Sequence, residues 1–133
     1  MNGDAPPEIR TLIETHVDGF NNQNPELFLS TFGDAAIIVD GIAPYLWLNS
    51  NAPAKWLADV EKWRTNLGVT HEHLAYEMGF CTVEGDHAYA VISGTLTVTI
   101  KGQDVTRTGT LAYTFAKEHG QWKIGAQAWG RTS

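Results

Sequence analysis

Two ionisable side chains in this sequence stand where an apolar pattern is under way, and both are of types that move protons. Asp40 closes the β-branched run Ala36 to Val39 and is followed at once by Gly41. Read locally, Asp-Gly opens a turn; read as part of a site, a carboxylate at the mouth of a buried strand is an ionisable group aimed into a cavity. His16 lies among Ile9, Leu12, Ile13, Val17 and Phe20, at a position that helical spacing assigns to the core. It is either a partly buried histidine bonded to a backbone carbonyl or a proton donor or acceptor directed at a ligand.

The aromatic residues offer a lining for such a cavity. Five tryptophans, four tyrosines and five phenylalanines either fill a core or surround a flat apolar ligand. Tyr45 and Trp47 fall in IAPYLWL, an apolar stretch that Pro44 bars from regular central strand, so it reads as an irregular wall: a plug or a pocket mouth. Trp56 and Trp63 belong to a helical stripe with Leu57, Val60 and Leu67, where a core role competes with a pocket role. Other chemistry finds little support. His71 and His73 flank Glu72 on a strand, without a third metal ligand placed by the sequence; His87 and His119 sit in or beside turns; Cys81 has no activating neighbour. Phosphate loops, nucleophile triads and dinucleotide fingerprints are absent, so neither metal nor cofactor is expected.

The elements that must position these groups are legible in order. Residues 1–7 are expected to fray. A first amphipathic helix runs from Glu8 to Phe20. A second, short helix starts at Asn24-Pro25, carries Leu27, Phe28, Thr31 and Phe32, and stops at Gly33. The Ala36–Val39 strand and the irregular wall follow. A third helix begins at Ser50 or Asn51 and ends at Gly68. From Val69 the period changes to two, in four stretches parted by Glu84-Gly85-Asp86, Lys101-Gly102 and His119-Gly120: an antiparallel meander. Ala88, Ala90, Ile92, Leu96 and Val98 form one face of its second strand. The other face is a field of threonines that two sheets can share in a homodimer.

A chain of 133 residues forms one domain with a core large enough to need no staple. A single cysteine fits a reducing cytoplasm, and no run approaches membrane-spanning length. A net charge of −6, with only nine Lys and Arg, argues against nucleic acid and anionic membranes as partners.

This order of elements resembles the nuclear transport factor 2 like fold, an α+β cone in which three N-terminal helices pack into a curved antiparallel sheet around a pocket. The run FLSTFGDAAIIVDG resembles the second helix and first strand of ketosteroid isomerases and of SnoaL-type polyketide cyclases, and HGQWKIGAQAWG resembles their final hairpin. The resemblance implies that Asp40 is the general base and that Trp129 reaches the pocket. It also implies that the two oxyanion donors of the isomerases are replaced here by His16 and Leu111. The expected protein is thus a cofactor-independent isomerase, cyclase or dehydratase acting on a small apolar molecule, with His16 assisting as a protonated donor beside Asp40. The rivals are a non-catalytic binding module and a dimeric interaction domain of the same fold.

Overall fold

The computed structural model describes residues 5–133. Helix α1 spans Pro7–Asn21, α2 Pro25–Leu29 and α3 Ala52–Leu67; strands β1 to β6 span Phe32–Val39, Leu46–Trp47, Val69–Glu84, His87–Ile100, Gln103–Glu118 and Gln121–Arg131. Residues 1–4 of the arm expected to fray lie outside the described residues; Ala5 packs into the core.

Local chemistry explains where the helices stop. Asn24 Oδ1 accepts from the Leu27 amide at 3.2 Å, capping α2 as its position suggests. That helix is shorter than its apolar spacing implies, and Gly33 does not end it. The Ser30 and Thr31 hydroxyls, each at 2.6 Å, take the Leu27 and Phe28 carbonyls, so the last turn closes on side chains and Phe32 and Gly33 are released into β1. Gly19 lets α1 and α2 touch: a Cβ there would lie 2.7 Å from the Phe28 amide nitrogen. Gly68 ends α3 at φ 73°, the left-handed conformation expected of it.

One six-stranded sheet, in the order β2-β1-β6-β5-β4-β3, carries all three helices on one face. The β3–β6 meander is antiparallel throughout, whereas β1 joins β6 in parallel, with Ile38 opposite Gln127 and Val39 opposite Ala128. Alternation along β4 and β5 buries Ala88, Ala90, Ile92 and Val98 with Leu111, Tyr113 and Phe115, leaving Thr95, Thr106, Thr108, Thr110 and Thr114 outside. Register slips in β3 between Met78 and Cys81, and in β6 around Gly125, bend the sheet and reverse which residues face inward beyond them. The Asn21 side chain also holds the free edge of β3, donating to the Leu74 carbonyl at 2.9 Å and accepting from its amide at 2.8 Å. Ile9, Ile13, Phe28, Ile38, Ile92, Tyr113, Phe115 and Ile124 fill the closed end. Among the described residues no helix is long and apolar enough to cross a membrane.

Candidate functional site

At the open end the helices stand away from the sheet and leave a cavity of about 340 Å³. Phe20, Trp56, Val60, Trp63 and Leu67 form its helical wall; Leu96, Val98, Ile100, Val105, Leu111 and Trp129 form its sheet wall. Among the residues bordering it are six polar ones: His16, Asp40, Glu72, Arg107, Gln127 and Arg131. Its lining is mostly apolar, with the polar groups few among it.

Asp40 enters the cavity because β1 ends beside β6. It shares the inward face with Ile38, whose register partner is Gln127. Its carboxylate is fixed by two N–H donors: the Trp56 indole nitrogen gives to Oδ2 at 2.9 Å, and the Gly41 amide gives to Oδ1 at 2.6 Å. The same Asp40 side chain thus accepts from the Gly41 amide where β1 ends and borders the cavity. Burial raises its pKa from 3.8, and the Trp56 and Gly41 hydrogen bonds partly offset that rise. Trp56→Phe is accordingly expected to raise the Asp40 carboxyl further; an NMR titration of its carboxyl carbon measures the change, and an unmoved midpoint would show that the indole does not hold it.

His16 borders the same cavity from α1, but in a different state from the expected donor. It is 3% exposed, ringed by Phe28, Phe32 and Tyr113 at centroid distances of 4.7, 5.4 and 5.4 Å. Desolvation lowers its pKa from 6.5 to about 3, so the imidazole is neutral. Among the described residues its one hydrogen-bond contact is with the Thr31 hydroxyl, 3.4 Å from Nδ1. The Thr31 hydrogen is already committed to the Phe28 carbonyl, so the proton of the pair sits on Nδ1 and Nε2 is an acceptor.

Trp56, Trp63, Leu111 and Trp129 border the cavity as well, so α3 turns its tryptophan stripe toward the space rather than only onto the sheet. The Trp129 ring lies across Gly94 and Gly109, where an added Cβ would come within 3.2 and 2.8 Å of it. Tyr45 and Trp47 do not border this cavity. The Tyr45 amide gives to the Ile42 carbonyl at 2.8 Å and the Asp40 amide to the Tyr45 carbonyl at 3.1 Å, which folds the loop back along the outer edge and leaves Tyr45 60% exposed. Trp47 is buried under α3, its indole nitrogen on Asp59 Oδ2 at 2.8 Å.

Four polar residues that border the cavity, Glu72, Arg107, Gln127 and Arg131, were not among the residues the sequence singled out. The Glu72 side chain, between the exposed His71 and His73, is 5% exposed and paired with Arg64 at 2.7 Å. Burial raises its pKa more than Arg64 lowers it, and the Asp40 charge adds to the rise. It shares the parity of Leu74 and Tyr76, the signal that could have found it. Gln127 shares the parity of Trp129, its one signal; the slip at Gly125 turns both inward against the alternation set by Ile124. His71 and His73 are exposed, and the described residues contain no cluster able to hold a metal.

No protein-family model matches the chain, and no curated protein matches it in sequence. Solved structures do resemble it. A ketosteroid isomerase-like protein from Erwinia carotovora atroseptica superposes with a TM-score of 0.80 at 15% identity, over 95% of each chain. The hexachlorocyclohexane dehydrochlorinase LinA-type3 from Novosphingobium barchaimii gives 0.76 at 11% identity, over 95% of this chain and 85% of that one. An NTF2-like protein with a cystatin-like fold from Novosphingobium aromaticivorans gives 0.73 at 18%, over 95% and 80%. The chain has the nuclear transport factor 2 like, cystatin-like fold that its order of elements suggested. At these identities the likeness is one of fold, and function rests on the cavity itself.

Proposed function

We propose that this protein binds a small, largely apolar molecule in the cavity and moves a proton within it without a cofactor, with Asp40 as general base. The observation that carries the reading is the state of Asp40: a carboxylate bordering an apolar cavity, its pKa raised by burial and its orientation set by Trp56 and Gly41. Each oxygen accepts one protein hydrogen bond and keeps a further lone pair for the proton of a carbon acid. In such a step the carbon–hydrogen bond breaks, its electron pair passes to the adjacent unsaturated group or expels a leaving group, and Asp40 returns the proton to another position or to water. Isomerase, cyclase and dehydratase reactions share this step. Neutral His16 offers Nε2 as an acceptor that orients a substrate hydroxyl. The resemblance to ketosteroid isomerase-like and dehydrochlorinase structures agrees with this class of chemistry.

The test is deuterium incorporation from buffered D2O into a panel of small apolar enones and ketones, followed by NMR. Exchange that requires Asp40 supports the reading. Binding of the same compounds without exchange makes the protein a ligand-binding module instead.

A reducing cytoplasm fits the single cysteine, which is buried. We also propose a homodimer through the outer sheet face, where Phe80 and Tyr89 stand exposed at 6.2 Å beside the threonine field. Analytical ultracentrifugation at micromolar concentration should give twice the chain mass; a monomer alone would remove the dimer.

A further inference from the structure

The polar groups bordering the cavity are sorted by type along its length. Gln127 is 5% exposed, and its Oε1 is buried without a hydrogen-bond partner. Its register partners are Ile38 on β1 and Tyr113 on β5, and the Tyr113 ring stands edge-on to His16 at 5.4 Å. Gln127 and His16 therefore both neighbour Tyr113, one from the sheet and the other from α1, and both border the cavity. With the proton on Nδ1, His16 presents an acceptor there, and so does the Gln127 carbonyl. An unpaired buried acceptor carries a desolvation penalty, which a ligand donor relieves.

The mouth is the opposite. Arg107 and Arg131 border the cavity at its outer end, on the same inward face as Leu111 and Trp129. Arg131 lies opposite Gly109, which makes the two arginines diagonal neighbours on adjacent strands. Among the described residues neither forms an ion pair: Arg107 gives to the Thr106 carbonyl at 3.3 Å and Arg131 to the Ser133 carbonyl at 3.0 Å. The carboxylates bordering the cavity are otherwise engaged, Glu72 by Arg64 and Asp40 by Trp56 and Gly41. Gln127 and Arg131 lie four residue steps apart on the strand, about 13 Å between Cα atoms.

Building on the proton-transfer reading above, we infer that the ligand is an amphiphilic hydroxy acid: a hydroxyl given to His16 and Gln127 at the floor, a flat apolar body between Trp56 and Trp129, and a carboxylate held by Arg107 and Arg131 at the mouth. A ligand hydroxyl can donate to the buried Gln127 carbonyl and to His16 Nε2, which an ether or a bare ring cannot do. The mouth adds a charge-assisted contact that weakens with salt.

The experiment is equilibrium titration of tryptophan fluorescence with a hydroxynaphthyl propanoate, its methyl ether and its methyl ester, at low and high salt. In the native protein the hydroxy acid should bind about tenfold tighter than either derivative, as one well-made polar contact at each end supplies. Gln127→Met should erase the preference over the ether and leave that over the ester. Arg107→Gln combined with Arg131→Gln should do the reverse and abolish the salt dependence. Equal affinities for the three compounds in the native protein would overturn the inference without needing either variant to fold. Repeating the titration in Asp40→Asn separates the two proposals: an intact preference alongside lost deuterium exchange supports both, and an intact preference where the native protein exchanges nothing removes only the proton transfer.

Discussion

Asp40→Asn is expected to lower the rate of proton transfer between a hundredfold and ten-thousandfold, the range that a positioned general base contributes, while leaving the circular dichroism spectrum unchanged. The substitution keeps the shape of the side chain. Its amide oxygen can still accept from the Trp56 indole, and the Gly41 amide, which sits in an exposed loop, can turn to water. What disappears is the basic lone pair. The same variant carries a second expectation, on stability. Because burial raises the Asp40 pKa above 3.8, the folded protein holds this proton more tightly than the unfolded chain does. The stability this group lends is complete below the unfolded value and is lost as pH rises through the folded one, so at neutral pH the ionised carboxylate weakens the fold. Asparagine does not ionise. Its melting temperature should therefore equal or exceed that of the native protein at pH 7, with the advantage vanishing toward pH 3. A variant that exchanges deuterium at the native rate would remove Asp40 from the chemistry. A variant clearly less stable at neutral pH would show that its carboxylate stabilises the fold instead.

The second large effect belongs to His16 and has the opposite sign. Its folded pKa is about 3 against 6.5 unfolded, so the native state excludes a proton that the unfolded chain accepts. The stability contributed by the neutral ring is fully present above pH 6.5 and is lost as pH falls below it. Between pH 7.5 and pH 5 the loss is about 2 kcal/mol, a value that requires only that the folded pKa lie well under 5. Urea unfolding at the two pH values measures it. His16→Gln keeps a donor for the Thr31 hydroxyl and removes the titration, so the difference between the two proteins isolates the histidine from the opposing contributions of Asp40 and Glu72. Equal pH dependence in both would mean that the native ring takes up a proton at mildly acid pH, as the expected donor would have done.

These two side chains mark how far the sequence could be read. Their positions were legible, because helical spacing puts His16 on the inner face of α1 and an apolar run ending in Asp-Gly puts Asp40 at the end of a strand. Their states were not. The neutral imidazole follows from Phe28, Phe32 and Tyr113 closing around it, and its tautomer from a threonine fifteen positions away. The proton acceptor in place of a proton donor is thus a product of packing.

The sequence by itself determined what local periodicity and turn chemistry control. It set α1 and α3 with the Gly68 stop, the four-strand meander with its glycine turns, and the division of β4 and β5 into an apolar and a threonine face. Each depends on neighbours within a few residues. Only the tertiary structure decided which chain segments meet. The parallel pairing of β1 with β6 brings Asp40 beside the final hairpin, a contact between residues some ninety positions apart that no local pattern encodes. Two hydroxyls shortened α2, one returning loop carried Tyr45 away from the cavity, and one register slip turned Gln127 into it. Since a slip of one residue exchanges the two faces of a strand, the last of these placed a buried acceptor where alternation alone would have put a solvated amide.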